Sequence, residues 1–354
     1  MNKHGGYTGE KQEEIIDFSV NINPLGVSKK VITRIKENLS NLASYPEIDG
    51  LSARKIIAKK LSLHEENIII GNGASELIYL YAHFFKGKKV LIVQPTFSEY
   101  ARAFRLNGCS VINHILSKKN NFQIDEASLL SKIKRDQPDL LVLCNPNNPT
   151  GLFVEYRRLK EVFEYLKEIK SQVFIDESFI DFTEEKSALS FIDEYPIFII
   201  KSMTKFFAIA GLRLGYGIGN KKILERIKAY KEPWTVNSIA LDIVEVLFED
   251  EEYIAKTKGC LLEEKSYLES ELDSINGIIT YDSSANFYLL KLKDKEVSEV
   301  KEKLLTEGIY IRNCDNFLGL DKSYFRIAVR TRAENIKLIS SIKDSLRIKD
   351  FSES

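Results

Sequence analysis

The chain has 354 residues, and at roughly 100 to 200 residues per domain that length predicts two lobes. Apolar residues make up 44%, enough for a large buried core, which excludes a disordered chain and a small disulfide scaffold. Lys plus Arg and Asp plus Glu both number 51, so the formal charge is zero and no global basic field exists to hold nucleic acid or an acidic membrane surface; a small substrate is expected.

Residues 1 to 14 are polar and lack the apolar core of a signal peptide. No later segment approaches the roughly eighteen apolar residues of a membrane span, so a cytosolic protein is expected. An extended segment, Asp17 to Asn21, precedes a predicted helix over Ser28 to Leu39. From about residue 68 to 220, short apolar runs alternate with longer segments of helical period. The runs are Ile68 to Ile70, Val90 to Val93, Leu140 to Leu143, Val173 to Ile175 and Phe198 to Ile200. Continuous apolarity means strands covered on both faces, hence a mostly parallel sheet between helix layers, an α/β lobe. After Lys231-Glu232-Pro233 the pattern becomes one long amphipathic helical stretch, Ser238 to Leu272. Strands near Ile278 to Tyr281 and Phe287 to Leu292, a helix near Val297 to Leu305, a strand at Tyr324 to Val329 and a closing helix near Ala333 to Leu346 predict a smaller α+β lobe. The division expected is an N-terminal segment, 1–44, packing with the small lobe, a large lobe, 45–232, and a small lobe, 233–354. Cys109, Cys144, Cys260 and Cys314 lie far apart without metal-type spacing and read as packing thiols.

Ligands of α/β sheets collect at the carboxyl ends of strands, so the residues after each run carry the chemistry. Ile70 is followed by Gly71-Asn72-Gly73-Ala74-Ser75-Glu76, a turn into a helix whose free N–H groups at Ala74 and Ser75 suit a phosphate. Neither a dinucleotide fingerprint nor a Walker motif is complete there. Cys144 is followed by Asn145-Pro146-Asn147-Asn148-Pro149-Thr150-Gly151, a turn-rich run that fixes the Asn148 amide. Ile175 is followed by Asp176-Glu177, a carboxylate at a strand end that could equally cap a helix. Ile200 is followed by Lys201-Ser202-Met203-Thr204-Lys205, and then by Gly211-Leu212-Arg213-Leu214-Gly215. The apolar neighbours of Lys205, Phe206 to Ala210, suit an amine of depressed pKa that acts as a nucleophile. An amine for an aldehyde, an acid for a pyridine nitrogen and a phosphate cup together call for pyridoxal 5'-phosphate.

The order of these motifs, from about Asp17 to Arg330, resembles the fold type I, aspartate-aminotransferase-like family of pyridoxal-phosphate enzymes. The resemblance implies that Lys205 bonds the cofactor aldehyde, Asp176 faces the pyridine nitrogen and Asn148 the ring hydroxyl. Gly73, Ala74, Ser75, Ser202 and Arg213 would hold its phosphate, and Phe97 would stack on its ring. Tyr45, in Tyr45-Pro46, resembles the tyrosine that reaches a neighbouring subunit's phosphate, which implies a homodimer with shared sites. One departure stands out: where aminotransferases of this type usually carry a tyrosine three residues after the aspartate, this chain has Phe179.

Within the family the chain is most similar to the threonine-phosphate decarboxylases of cobalamin biosynthesis, and next to the histidinol-phosphate aminotransferases. The likeness lies in His4-Gly5-Gly6, in Asp17 to Gly26, in Asp176 to Phe182, in Pro233-Trp234-Thr235-Val236-Asn237 and in the region Arg312 to Arg330. Tyr7 stands where the decarboxylases commonly have Asn. The resemblance implies that Arg326 faces a substrate carboxylate and Arg312 a substrate phosphate, with His4, Gly5, Asn21 and Asn148 completing the pocket. Phosphoserine is the alternative substrate within that class. His64, His83 and His114 read as structural. A non-catalytic regulator built on the same fold is a third reading, against which the intact Lys205 and two spare arginines weigh.

Overall fold

The apolar runs do form strands, and a sheet of seven holds them in the order Ile68–Asn72, Leu214–Gly219, Ile197–Ser202, Gln172–Asp176, Leu140–Cys144, Lys89–Gln94, Ser110–Ile115. The structure, a computed structural model, describes residues 4–10 and 14–346. The strands between Ile197–Ser202 and Ser110–Ile115 run parallel, while Leu214–Gly219 runs antiparallel to both its neighbours. Val90 to Ile92, Leu140 to Val142 and Val173 to Ile175 are at most 1% exposed, as expected of strands covered on both faces by helices. One face packs against Leu77, Tyr81 and Phe104 from the helices Gly73–His83 and Ser98–Leu106; the other packs against Leu129, Val162 and Leu166.

Two strands escape the apolar-run criterion. Ser110–Ile115 is a partly exposed edge strand in which His114 alone is buried, and Leu214–Gly219 carries glycine at every second position. The predicted single helical stretch from Ser238 is three helices, Ser238–Asp242, Val244–Glu249 and Glu251–Asp273. The break before the longest is set by Asp250. Its carboxylate caps that helix at Tyr253, pairs with Lys30 at 3.0 Å and accepts from the Ser28 hydroxyl.

The small lobe carries an antiparallel sheet ordered Arg312–Asn313, Tyr324–Ala328, Phe287–Leu292, Ile278–Thr280. The N-terminal segment stitches the two lobes. Ile16 and Asp17 pair in parallel with Ile309 and Tyr310, and Phe18 O accepts from Ala328 N at 2.9 Å. Asn23 N donates to Lys205 O at 3.1 Å, and Asn23 Nδ2 donates to Phe206 O at 2.8 Å. Among the described residues no helix is long and apolar enough to cross a membrane.

Candidate active site

A cleft of about 1010 Å³ opens where the large sheet's strand ends meet the small sheet. His4, Gly5, Asn21, Phe97, Asn148, Lys205, Arg213, Arg312 and Arg326 line it. Through Phe97, Asn148, Lys205 and Arg213 it continues into a recess of about 540 Å³ beside Ala74, Ser75, Asp176 and Ser202. The sequence-predicted residues are therefore gathered at one place, apart from Gly73 and Tyr45. Gly73 begins the helix that carries Ala74 and Ser75 and lies against the Arg213 guanidinium. Tyr45 is 86% exposed and packs on Trp234, with ring centroids 5.3 Å apart.

The recess suits an anion. It is rimmed by the start of the helix Gly73–His83, whose first N–H groups lack helical acceptors, and by the hydroxyl pair Ser202 and Thr204, 2.7 Å apart. Arg213 adopts φ +56° at the same rim, and its guanidinium lies so close that a Cβ on Gly73 would meet Nη2 at 2.6 Å. A Cβ on Gly215 would meet Ala74 N at 2.6 Å, so the close approach of strand to helix start requires glycine there. Opposite this rim Asp176 is 4% exposed. Its Oδ1 accepts from Ser178 N at 2.8 Å and its Oδ2 from the Tyr100 hydroxyl at 2.7 Å. Burial pushes the carboxyl above its ordinary value, against those donors. A buried acid, an amine and an anion cup across one recess match the donor set that pyridoxal phosphate needs: ring nitrogen, aldehyde and phosphate.

Lys205 and Lys201 differ in kind. Burial first, and then the Arg213 cation, lower the Lys205 amine to about 8, with Asp176 pulling the other way. Its Nζ donates to Thr204 Oγ1 at 3.3 Å. Burial also works against the Lys201 charge, yet Asp181 at 3.2 Å, with Glu177 at 3.9 Å, holds that ammonium above its ordinary range. Lys205 is thus the amine suited to carbonyl chemistry.

Arg312 and Arg326 face each other across adjacent antiparallel strands in direct register. Arg326 is 5% exposed; Nη1 donates to Asn148 Oδ1, Nη2 donates to Ser19 O at 2.6 Å, and the guanidinium lies over Phe287 at 5.2 Å. Burial, with repulsion from Arg312, lowers this guanidinium to about 10, still charged at neutral pH. Among the described residues its Nε has no hydrogen-bond partner, and neither does the buried Asn21 Oδ1. Arg312 Nη2 donates to Asn316 Oδ1 at 2.9 Å, Nη1 donates to Asn313 O, and the guanidinium stacks over Phe317 at 5.3 Å. Phe179, where a hydroxyl is usual, is buried edge-on to Phe287 with centroids 4.9 Å apart.

His4 lies at the cleft mouth, Nε2 3.1 Å from Glu99 Oε1 and its ring 5.5 Å from Phe97. Gly6 N donates to Ser19 Oγ at 2.7 Å and Tyr7 N to Asp17 Oδ2 at 2.8 Å, which hold the segment down. Sequence reasoning missed Tyr100, Glu99 and Ser19. Tyr100 had a faint signal, since it lies one helical turn past Phe97; Ser19 acts through its carbonyl, which no side-chain motif reveals.

With this geometry in view, similarity to known proteins is informative. Over 345 residues the chain is 41% identical to a protein of Caldanaerobacter subterraneus provisionally described as a threonine-phosphate decarboxylase, covering 96% of this chain and 93% of that one. It is 33% identical over 341 residues to the threonine-phosphate decarboxylase of Salmonella typhimurium, covering 96% and 93%. The crystal structure of the histidinol-phosphate aminotransferase from Clostridium acetobutylicum superposes with a TM-score of 0.87 at 36% identity, covering 92% of this chain and 98% of that one. The family model for aminotransferases of classes I and II matches residues 13–342, and with the sheet order and the gathered site described above, the chain belongs to the class I and II aminotransferase family.

Proposed function

We propose that the protein decarboxylates L-threonine O-3-phosphate to (R)-1-aminopropan-2-ol O-2-phosphate, a cobalamin side-chain precursor, with pyridoxal 5'-phosphate as cofactor. The observation that carries this reading is the pair Arg312 and Arg326. Like charges in direct cross-strand register repel, and converging both on the cleft that holds Lys205 supports a substrate that bears two anions, a carboxylate and a phosphate.

Bound in the recess, pyridoxal phosphate supplies an aldehyde for the substrate amine and a ring that accepts the electron pair left by the departing carboxylate. Lys205 would hold that aldehyde between turnovers, and Asp176 would face the ring nitrogen. Asn148 has its Oδ1 committed to Arg326, which leaves Nδ2 to donate to the ring hydroxyl. Ala74, Ser75, Ser202 and Arg213 would bind the cofactor phosphate, and Phe97 would lie on the ring. Arg326 grips the substrate carboxylate and Arg312 its phosphate, with His4, Gly5 and Asn21 closing the pocket. Held at both anions, the substrate would be oriented by the two arginines so that the bond to the carboxylate is the one set for cleavage. Lys205 would take the proton that the substrate ammonium gives up on binding, and its ammonium, made more acidic by burial and by Arg213, would return that proton to the α-carbon. Ser75, Arg213 and Tyr45 are all exposed in one chain, and Leu42 and Ile48, three residues to either side of Tyr45, are 60% and 61% exposed, which supports a homodimer whose second copy brings Tyr45 to the cup.

Incubation with O-phospho-L-threonine tests the reading: carbon dioxide should be released without 2-oxoglutarate. A strict requirement for an oxo acid would favour the second reading, a histidinol-phosphate-type aminotransferase, which the likeness to the Clostridium acetobutylicum enzyme supports. Phosphoserine lacks one methyl of phosphothreonine, worth about 1–3 kcal/mol in a pocket, so the two specificity constants decide between those substrates.

A further inference from the structure

Tyr100 is 1% exposed, and its hydroxyl donates to Asp176 Oδ2 at 2.7 Å. Its ring is pinned edge-on between Phe97, at 5.6 Å, and Phe174, at 6.0 Å, so the hydroxyl has little freedom to point elsewhere. One side chain thus buttresses the aromatic assigned to one face of the cofactor slot and bonds the acid at its end. Burial and the neighbouring Asp176 charge hold the phenol well above its ordinary pKa, which makes Tyr100 a donor and not a proton source. The other groups that face Asp176 are Ser178, whose N–H donates to Oδ1 at 2.8 Å, the Lys205 cation and the buried Cys144 thiol, and all of these remain whichever residue stands at position 100.

Resting on the cofactor reading above, we infer that Tyr100 is a positioning residue: by donating to Oδ2 it keeps Asp176 ionised and aimed, so that a proton shared between Asp176 and a pyridine nitrogen rests on the nitrogen. The physical basis is a competition between two bases for one proton. A buried carboxylate that loses a donor becomes the stronger base and takes the proton itself. A charge-assisted hydrogen bond biases that competition by about tenfold or more. Asp176 then stays an anion opposite the ring, and the ring keeps the positive charge that draws electrons from the substrate. The Phe97 and Phe174 contacts need only an aromatic ring, so they account for Phe or Tyr at position 100 alike; the hydroxyl is accounted for by Asp176.

The test uses the full chain with its aspartates carboxyl-labelled with carbon-13, as apoprotein, in three forms: wild type, Tyr100→Phe, and 3-fluorotyrosine at position 100. Assignment of the Asp176 resonance comes from Asp176→Asn. The acid constant of Asp176 should fall about tenfold or more in Tyr100→Phe, moving its midpoint up by a pH unit or more, and should rise in the fluorinated form, whose phenol is the stronger donor. Should Tyr100→Phe fail to fold, the fluorinated form carries the test alone. Loading with ring-nitrogen-15 pyridoxal phosphate then reads the proton directly: the Tyr100→Phe shift should move toward that of a neutral pyridine while the wild type stays protonated. An Asp176 acid constant that changes less than twofold, or a ring shift unchanged in the Phe variant, overturns the inference. If the apoprotein titrates as expected but takes up no pyridoxal phosphate, the cofactor reading fails and the Tyr100 to Asp176 coupling stands apart from it.

Discussion

Arg326→Ala and Arg312→Ala should differ both in stability and in which ligand they release. Arg326 donates to the carbonyl of Ser19, a residue fully shielded from solvent, and to Asn148 Oδ1. Its removal leaves the Ser19 carbonyl unpaired, which costs about 1–3 kcal/mol, whereas the Asn148 amide is less enclosed and can be rewetted. The loss of the guanidinium from the Phe287 face adds about 0.5–2 kcal/mol. A fall in unfolding free energy of about 1.5–5 kcal/mol is therefore expected for Arg326→Ala. Arg312 is half-buried on the two-residue edge strand and donates to Asn313 O and Asn316 Oδ1, so Arg312→Ala should cost within about 1 kcal/mol. In catalysis each loses a charge-assisted contact worth about 1.5–3 kcal/mol, hence a fall of at least about tenfold in kcat/KM for phosphothreonine. The kinds of defect separate them. Arg312→Ala should lose discrimination between phosphothreonine and threonine. Arg326→Ala should still bind the product phosphate while decarboxylation falls and abortive transamination gains. Denaturant titration, steady-state kinetics and inhibition by 1-aminopropan-2-ol phosphate measure all of these. A loss of product affinity in Arg326→Ala but not in Arg312→Ala would show the two roles to be exchanged.

Lys205 in the apoprotein should react with aldehydes at a rate that climbs with pH and levels off above about 8, because burial and Arg213 disfavour the ammonium; Arg213→Gln should move that midpoint upward, and an unmoved midpoint would remove Arg213 as a cause. Borohydride trapping of the cofactor followed by peptide mapping should place it on Lys205; label on Lys201 would contradict the assignment. Inactive Lys205→Ala and Tyr45→Ala subunits should regain activity when mixed, and no recovery despite demonstrated exchange would refute shared sites. Glu99→Gln weakens a half-exposed contact to His4 worth about 0.2–1 kcal/mol, so KM should rise by up to about fivefold with kcat nearly unchanged.

Much of the site was legible because its side chains sit immediately after apolar runs, where side-chain type alone indicates chemistry. Lys205, Asp176 and Asn148 each follow such a strand, and the turn-forming residues around Asn148 mark its loop. The strand Leu214–Gly219 was hidden because it needs glycines: a Cβ on Gly217 would meet the Phe198 ring at 2.6 Å, so the sequence trades apolar side chains for close approach. Ser110–Ile115 lies at the sheet edge, where one face is wet and the apolar run is interrupted by Asn113 and His114. The long helical stretch keeps its apolar period across Asp250, and the partners that fix Asp250 as the cap, Ser28 and Lys30, lie more than two hundred residues away in sequence. Tyr100 was overlooked for a related reason: its partner Asp176 is distant along the chain and adjacent only once the parallel sheet has formed. Arg312 and Arg326 were found as charges, but their direct register, which makes them a pair, is a property of the sheet.

The fate of the hydrogen on the substrate α-carbon tests the central claim most directly. Decarboxylation keeps that hydrogen and adds one from solvent, whereas transamination loses it. Phosphothreonine carrying carbon-13 in its carboxylate, turned over in deuterium oxide without any oxo acid, should yield labelled carbon dioxide and 1-aminopropan-2-ol phosphate with a single deuterium at the carbon that bore the carboxylate. An α-hydrogen washed out into solvent, with an oxo product and the labelled carboxylate retained, would contradict the account.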